Sequence, residues 1–226
     1  MGSSDIIQSM ALDALENVKD VSIIGLGSGS TVAVFVRALA KHVKDNKIDV
    51  KVIPTSLQIK LEAAALGFKL ADDSLIPSTD IVFDGADQID AKFNMIKGGG
   101  GALLREKVLI HASKQTIILA DESKYVNVLN RPVPVEVHPY ARTYVYERLQ
   151  KWGAKPKIRS LDKGYPFVTE NGNLILDTDF GEIDDVVSME REVKNIAGVM
   201  EVGLFTKHAT RYYRAKKNGI VEVLMP

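Results

Sequence analysis

Apolar positions in residues 1–125 alternate between the spacing of a buried strand and the spacing of an amphipathic helix. Four short apolar runs predict strands: VSIIGLG, IDVKVIPTS, TDIVFDG and QTIILAD. Four segments with helical spacing alternate with them: DIIQSMALDALENV, STVAVFVRALAKHVKD, LQIKLEAAALG and GALLREKVLIHAS. In the second of these helices, one face carries Val32, Phe35, Val36 and Leu39. Because strands separated by helices pair in parallel, the pattern predicts an α/β fold with an open, mainly parallel sheet flanked by helices in a Rossmann-like manner.

From about residue 130 onward, the segments become shorter and richer in proline and turn residues. They follow in the order RPVPVEVHP, the helix YARTYVYERLQKWG, KPKIRS, PFVTENGNLILDTDF as two strands around an Asn-Gly turn, the helix IDDVVSMEREVKNI, and VMEVGLF. This order predicts a ferredoxin-like α+β domain over residues 131–203. Residues 1–130 and 204–226 would form the larger α/β domain. The tail ATRYYRAKKNGIVEVLMP carries a Lys-Asn-Gly hairpin signal and could return to the first sheet.

Composition narrows the class of protein. Of the 226 residues, 46% are hydrophobic and 26% are charged, so the chain can bury a sizeable core. The formal net charge is zero, which gives no field to attract nucleic acid or an anionic membrane, and we expect neither as a partner. The lack of cysteine excludes disulfides, thiol catalysis and thiolate metal sites. The 4 histidines are scattered, so we expect no metal site.

The N-terminal segment MGSSDIIQSM has neither the basic residues nor the long apolar run of a secretory signal. Its sixth residue is isoleucine, whereas a myristoylation motif requires serine or threonine at that position. No run approaches the roughly 20 apolar residues that a membrane-spanning helix needs. We therefore expect a cytoplasmic protein.

The first candidate site is GLGSGST, residues 25–31, between a predicted strand and a predicted helix. Glycines allow backbone N–H groups to approach a ligand closely, and a helix N-terminus favours an anion. Ser28, Ser30 and Thr31 add hydroxyl donors around Gly29. The segment matches neither the dinucleotide-binding motif G-x-G-x-x-G nor the Walker loop. It predicts either a phosphate site or a tight turn that caps the helix.

Two aspartates lie at or just after the end of the predicted strand TDIVFDG. Asp84 stands at the end of the strand, and Asp87 comes three residues later, after Gly85 and Ala86. Two neighbouring carboxylates can bind sugar hydroxyls or share protons, since their repulsion raises the pKa of one of them. The alternative is an aspartate-rich turn that only closes a loop.

Four consecutive glycines follow Lys97 in the segment KGGGGALLREK. Glycine loses the most backbone entropy on folding, so such a run indicates a backbone that must approach something closely. The amides of Gly98–Gly101 could bind oxygen atoms of a ligand. Glu106 would lie about one turn into the following helix, near its positive end. A flexible surface loop, with Glu106 in solvent, is the alternative.

The fourth candidate is ADESK, residues 120–124, which follows another predicted strand. Its Lys124 could reach a phosphate, although most loop lysines are simply solvated. In open α/β sheets, ligands bind beyond the carboxyl ends of the strands. The candidate segments follow Ile24, Pro54, Phe83 and Ala120, at the ends of four predicted parallel strands. We therefore expect these segments to meet at one edge of the sheet.

The chain thus carries, in order, the motifs GLGSGST, DGADQID, KGGGGALLREK and DESK. Together they resemble the ribose-5-phosphate isomerases of type A, and the resemblance extends over essentially the whole chain. That family interconverts ribose 5-phosphate and ribulose 5-phosphate in the pentose phosphate pathway, without a cofactor or a metal. The resemblance implies a small-molecule sugar phosphate as the substrate and a homodimer or homotetramer as the assembly.

The resemblance also implies roles for individual residues. Glu106 matches the family's proton-transferring base, and Lys97 matches its catalytic lysine. Asp84 and Asp87 match its sugar-binding carboxylates, and either of them could assist the opening of the sugar ring. The other positions that match ligand-contacting segments are Ser28, Gly29, Ser30, Thr31, Gly85, Ala86, Gly98, Gly99, Gly100 and Lys124.

The chain departs from the usual pattern of the family at a few positions. Gln88 stands where the family usually has glutamate, Ser28 where threonine is commoner, and Gly101 where alanine is frequent. None of these three positions has a proposed catalytic role. The family often has a lysine early in its first helix, near the phosphate, but here no basic residue precedes Lys19.

The residue types suit an aldose–ketose isomerisation, which needs a carboxylate base and donors for the oxyanion of an enediolate. The alternative is a non-catalytic sugar-phosphate-sensing domain of a transcription regulator, which predicts a helix-turn-helix module and loss of the base. An amino-sugar-phosphate deaminase would need a histidine near the acid, and none lies between His42 and His111. An acyl-CoA transferase would carry its glutamate in a different motif.

Overall fold

A computed structural model describes residues 3–71 and 79–226 of the chain. The helices are α1 (Ser3–Ala14), α2 (Ser30–Asn46), α3 (Leu57–Ala65), α4 (Leu103–Ala112), α5 (Arg142–Lys151) and α6 (Val186–Lys194). The strands are β1 (Ile23–Leu26), β2 (Lys51–Pro54), β3 (Lys69–Leu70), β4 (Thr79–Gly85), β5 (Gln88–Ile89), β6 (Met95–Ile96), β7 (Ser113–Asp121), β8 (Val133–Val137), β9 (Lys155–Ile158), β10 (Leu174–Asp179), β11 (Val199–Val202), β12 (Leu204–Phe205), β13 (Arg211–Ala215) and β14 (Val221–Leu224). None of the described helices combines the length and the hydrophobicity that crossing a membrane requires.

The chain divides into two compact units. The first consists of Met1–Ala86, Arg105–Lys124 and Ala209–Pro226, and the second of Asp87–Leu104 and Tyr125–His208. The second unit thus contains residues 87–104 in addition to the segment expected for the ferredoxin-like domain. The division of the chain into domains at residues 131 and 203 stays a prediction.

The first unit is built around a seven-stranded sheet in the order β14-β13-β7-β4-β1-β2-β3. The strands from β13 to β3 pair in parallel. Only the last strand of the described chain, β14, runs antiparallel to its neighbour β13. The predicted mainly parallel α/β sheet is therefore confirmed, and the tail does return to it as a hairpin.

The apolar face of α2 packs into the core of the first unit. Val32, Phe35, Val36 and Leu39 are all 0% exposed, which confirms the face predicted from their spacing. The ring of Phe35 stacks on that of Phe83 in β4, with the centroids 4.1 Å apart. Full burial of such a side chain contributes about 1.5–3 kcal/mol. This stack therefore helps to fix α2 against the carboxyl-terminal half of β4.

The second unit contains a four-stranded antiparallel sheet in the order β11-β8-β10-β9 and a three-stranded antiparallel sheet in the order β12-β6-β5. Along the chain, α5 connects β8 to β9 and α6 connects β10 to β11. This order and pairing confirm the predicted ferredoxin-like arrangement. Val145 and Leu149 of α5 and Val193 of α6 are 0% exposed and share one core with the strands.

The prediction of two regular strands in PFVTENGNLILDTDF is wrong, because residues 166–180 contain only β10 as a regular strand. The earlier part of the segment makes an isolated antiparallel bridge between Val168 and Leu174. The side chains of Thr169 and Asn173 donate to Glu136 at 2.8 and 2.9 Å and thereby fix the turn between the two parts.

Candidate functional site

The polar segments of the first unit follow neighbouring parallel strands. In the sheet, β2, β1, β4 and β7 lie side by side. They end at Pro54, Leu26, Gly85 and Asp121. The segments that follow them leave the sheet at one edge, where ligands bind in open α/β sheets. The predicted meeting of these segments is confirmed for the part of the chain that belongs to this unit.

Glu106 lies in the first turn of α4, and only 3% of the residue is exposed. Its Oε1 accepts a hydrogen bond from the hydroxyl of Ser28. The positive end of the helix dipole at this turn stabilises a carboxylate. The predicted position of Glu106 in the helix is confirmed, and the alternative of a solvated side chain is wrong. The bond from Ser28 is a contact that the sequence did not reveal.

The segment after β1 leads into the N-terminus of α2. Gly29 is the N-cap residue, with φ of 90°, and no side chain caps the helix. The first N–H groups of a helix have no partner within it, so the turn at Ser30 and Thr31 suits an anion. Ser30 is exposed and Thr31 is half-buried. The segment does form a turn that ends in the N-cap residue of α2, and its binding of a phosphate stays a prediction.

Asp84 is buried at the end of β4, with 1% of the residue exposed. Its Oδ1 accepts a hydrogen bond of 2.7 Å from the backbone N–H of Gly85. The backbone of Gly27 passes so close that an added Cβ would lie 1.9 Å from the same oxygen. A glycine at position 27 is therefore required for the carboxylate of Asp84 to occupy this position.

Lys124 ends a short 3-10 helix, Glu122–Lys124, directly after β7. The carboxylate of Asp121 accepts a hydrogen bond of 2.9 Å from the backbone N–H of Ser123 and thereby fixes the start of this turn. The side chain of Lys124 is half-buried. The turn thus holds a cation at the end of a strand that lies next to β4.

In the second unit, Asp87 is bonded to the segment that contains the four glycines. Its Oδ2 accepts a hydrogen bond of 2.8 Å from the N–H of Gly99. Its own N–H donates to the carbonyl oxygen of Ile96 at 2.8 Å. An added Cβ at Gly99 would lie 2.7 Å from Oδ1 of Asp87. Asp87 and the glycines are therefore one structural assembly.

Lys97 is buried between β6 and the glycines, with 3% of the residue exposed. Its backbone N–H donates to the carbonyl oxygen of Gly203 at 2.9 Å. Its ammonium group lies 5.5 Å from the centroid of the Phe205 ring, within the range of a cation–π contact. Backbone pairing and an aromatic ring thus determine where the cation of Lys97 lies.

The residues Gly98–Gly101 are here called the glycine loop. Close approaches within the chain itself require glycine at positions 98, 99 and 101. Gly98 has φ of 100°, and Gly101 has φ of 84°. An added Cβ would lie 2.9 Å from Cβ of Leu103 at Gly98, and 2.4 Å from Cζ of Phe167 at Gly101. The prediction of a closely approached backbone is confirmed, and Phe167 explains why alanine does not replace Gly101.

Arg159 is a neighbour of the glycine loop that no sequence motif indicates. Its Nη1 donates to the carbonyl oxygens of Gly98 and Gly99 at 2.9 and 3.0 Å. About 60 residues separate these partners in the chain. Arg159 belongs to the segment KPKIRS, which carries no motif. No local pattern could therefore have connected it with the site.

Residues 3–71 and 79–226 contain no cluster of three or more histidine and acidic side chains able to hold a metal ion. No metal-ligand set can therefore be named among them. That the reaction needs neither a metal nor a cofactor stays a prediction.

Sequence comparisons identify relatives over most of the chain. The family model of ribose 5-phosphate isomerase A (phosphoriboisomerase A) matches residues 51–219. The ribose-5-phosphate isomerase A of Archaeoglobus fulgidus is 45% identical over 199 residues, which cover 86% of this chain and 87% of that protein. The corresponding protein of Korarchaeum cryptofilum is 46% identical over 200 residues, covering 87% of each chain.

Solved structures agree with this relationship. Ribose 5-phosphate isomerase A of Methanocaldococcus jannaschii superposes with a TM-score of 0.93 at 38% identity, and the match covers 100% of both chains. A D-ribose-5-phosphate isomerase in complex with phospho-erythronic acid superposes with a TM-score of 0.95 at 37% identity, again over 100% of both chains. This chain belongs to the ribose 5-phosphate isomerase A family.

Proposed function

We propose that this chain interconverts D-ribose 5-phosphate and D-ribulose 5-phosphate through an enediolate. The observation that carries the proposal is the buried carboxylate of Glu106 at the start of α4, in a chain that belongs to the isomerase family. A relative of the same fold binds phospho-erythronic acid. The carboxylate of that compound resembles the two oxygens of an enediolate, which supports a sugar phosphate as the substrate here.

We assign the proton transfer to Glu106. Its carboxylate removes the proton from C2 of the open-chain aldose, and the released electron pair forms the C1–C2 double bond while O1 becomes negative. The carboxylic acid then returns the proton to C1, and the proton of the C2 hydroxyl passes to O1, so that the ketone forms at C2. Oxidation at C2 balances reduction at C1 within the substrate. The bond from Ser28 holds the carboxylate in one orientation for both steps.

We assign the stabilisation of the enediolate to Lys97 and to amides of the glycine loop. Donors that are fixed before the reaction stabilise developing negative charge without reorganisation. Lys97 meets this requirement because its backbone is bonded to Gly203 and its ammonium group faces Phe205. The glycine loop meets it because Arg159 donates to the carbonyl oxygens of Gly98 and Gly99 and the N–H of Gly99 donates to Asp87. These bonds fix the peptide unit that carries the N–H of Gly100.

Ring opening needs a group that removes the proton from the anomeric hydroxyl and returns one to the ring oxygen. Asp84 and Asp87 are the two carboxylates we propose for binding the sugar and for this step. They differ in environment, since Asp84 is almost fully buried and Asp87 is half-buried. We propose that the N-terminus of α2, at Gly29–Thr31, and Lys124 hold the phosphate, because helix amides and a cation both favour an anion.

We further propose that the protein acts in the cytoplasm as a homodimer or homotetramer. These proposals rest on the family, and the mass of the protein in light scattering tests the assembly. We expect no nucleic acid or membrane partner, since the formal net charge is zero. The comparisons support the isomerase and give no support to a sugar-phosphate-sensing domain of a regulator.

The variant Glu106→Gln tests the proposed activity. It keeps the size of the side chain but removes the base, so kcat for ribulose 5-phosphate formation should fall by about 10²–10⁴-fold. The KM for ribose 5-phosphate should change little. The assay contains a metal chelator, so that wild-type turnover also tests the expected independence from metals. Glu147→Gln, at an exposed position of α5, is the matched control. Turnover of Glu106→Gln close to that of the control would disprove the assignment.

A further inference from the structure

Arg159 connects the glycine loop to the four-stranded sheet of the second unit. On one side, its Nη1 donates to the carbonyl oxygens of Gly98 and Gly99 at 2.9 and 3.0 Å. On the other side, Nε and Nη2 donate to the two carboxylate oxygens of Asp177 in β10, at 2.9 and 2.5 Å. Only 15% of the arginine side chain is exposed. The planar guanidinium thus holds two partners in one fixed geometry.

These bonds determine which way the peptide units of the loop face. In a planar trans peptide, the C=O and the N–H point in opposite directions. Because the carbonyl oxygen of Gly98 lies on Arg159, the N–H of Gly99 points away from the guanidinium, and it donates to Asp87 at 2.8 Å. The carbonyl oxygen of Gly99 is bonded in the same way. The N–H of Gly100 therefore also points away from Arg159.

Glycine makes such an anchor necessary. A peptide unit between two glycines can rotate at low energetic cost, since glycine populates positive and negative φ about equally. A rotated unit would present a carbonyl oxygen where an N–H had been, and would repel an oxyanion instead of stabilising it. The ring of Phe167 supports the anchored state, with the guanidinium carbon of Arg159 5.7 Å from its centroid.

We propose that Arg159, held by Asp177, is a positioning residue that turns the N–H of Gly100 toward the substrate, while the N–H of Gly99 holds the carboxylate of Asp87. The proposal rests on the proposed function, because it concerns the donors that stabilise the enediolate. Arg159 acts only through the backbone of Gly98–Gly100 and transfers no proton. It therefore influences the transition state more than the binding of the neutral sugar carbonyl.

The test compares Arg159→Lys with Arg214→Lys. Lysine keeps the charge but cannot donate in one plane to two carbonyls and a carboxylate. Arg214 is a matched control, since its Nε donates to Glu222 across the β13–β14 hairpin at 2.9 Å. In Arg159→Lys, we expect kcat to fall at least about 10-fold, toward the loss of about 10²–10³ known for a removed oxyanion donor. The Kd of phospho-erythronic acid should rise by a similar factor, and KM should change less than about 3-fold.

Each outcome decides the matter. If kcat and the inhibitor Kd of Arg159→Lys stay within about 2-fold of the control, Arg159 is only a structural brace and the inference is wrong. If Arg159→Lys does not fold, Asp177→Asn decides instead. Asparagine keeps the size of the side chain and one acceptor oxygen, but it loses the charge and replaces the second acceptor with an NH2 group. We expect the same pattern there, with a smaller loss. A wild-type protein without turnover of ribose 5-phosphate would refute the proposed function and the inference together, whereas the ratio of variant to control addresses the inference alone.

Discussion

Replacing Gly101 by alanine should destabilise the second unit, because the backbone and a neighbouring ring both oppose a Cβ there. Its φ of 84° lies in the left-handed region, which costs other residues about 1–2 kcal/mol. The new Cβ would lie 2.4 Å from Cζ and 2.5 Å from Cε1 of Phe167. Carbon atoms pack at about 3.5–4.0 Å, so the ring must move by about 1 Å. Overpacking of this kind costs about 1–3 kcal/mol.

A second glycine separates the two contributions. Gly153 has nearly the same φ, 80°, and an added Cβ would meet no heavy atom within 4 Å. Alanine also lowers the entropy of the unfolded chain, which stabilises the native state by about 0.4–1 kcal/mol. Gly153→Ala should therefore lower the free energy of unfolding by about 0–1.5 kcal/mol. Gly101→Ala should lower it by about 1–4 kcal/mol, and the difference measures the overlap with Phe167.

The single tryptophan, Trp152, provides the assay, because it belongs to the second unit and its fluorescence reports on the unfolding of that unit in urea. A double-mutant cycle with Phe167→Leu assigns the effect, since leucine lacks the ring atoms that the Cβ would meet. We expect a coupling energy of about 1–2 kcal/mol between the two positions. Equal losses for Gly101→Ala and Gly153→Ala, or a coupling energy within about 0.3 kcal/mol of zero, would refute the reasoning.

Two further substitutions test other contacts. Asp80 accepts hydrogen bonds from Lys114 and from two backbone N–H groups at the start of β1, and these bonds lower the pKa of its carboxyl from 3.8 to about 2. Its contribution to stability is therefore complete above about pH 4 and is lost as the pH falls through 2. In urea titrations we expect Asp80→Asn to lose about 1–2 kcal/mol at pH 7, allowing for solvent screening. At pH 2, where half of the carboxyl groups are protonated, the loss should be at most about 0.5 kcal/mol, and a loss independent of pH would contradict this. Gly27→Ala would force the carboxylate of Asp84 out of place, and kcat should fall about 10–100-fold, whereas wild-type turnover would argue against a role for Asp84.

Local sequence patterns predicted the sheet because buried apolar residues recur at a regular spacing along each helix and strand. The face of α2 and the end of β4 both follow from the spacing of a few neighbouring residues, and the structure agrees with them. Strands of two residues, such as β5 and β6, are too short to show the alternation of side chains by which a strand is predicted. The segment before Gly172 makes only an isolated bridge between Val168 and Leu174. The side chains of Thr169 and Asn173 bond there to Glu136, a partner that no local pattern reveals.

The glycine loop shows a second limit of prediction from sequence. The close approach to its backbone could be predicted, but the group that approaches could not. A run of glycines correctly indicated a closely approached backbone. The sequence favoured a ligand as the approaching group, but Asp87, Leu103 and Phe167 of the same chain are what lies within reach. A glycine requirement therefore does not distinguish a ligand from a tightly packed neighbour. The two causes coexist when packing orients the amides that a ligand uses.

The orientation of the glycine loop depends on the register between β9 and β10. Because a register cannot be read from a local pattern, the role of Arg159 could not be predicted. In the ladder of β9 and β10, Asp177 pairs with Lys157. Arg159 stands two residues beyond Lys157 and therefore lies on the same face as Asp177, as its diagonal neighbour. A shift of the pairing by one residue would move Arg159 to the opposite face, and its bonds to Gly98 and Gly99 would be lost. The donors we assign to the enediolate thus depend on a pairing within the second unit, far along the chain from the motif that contains them.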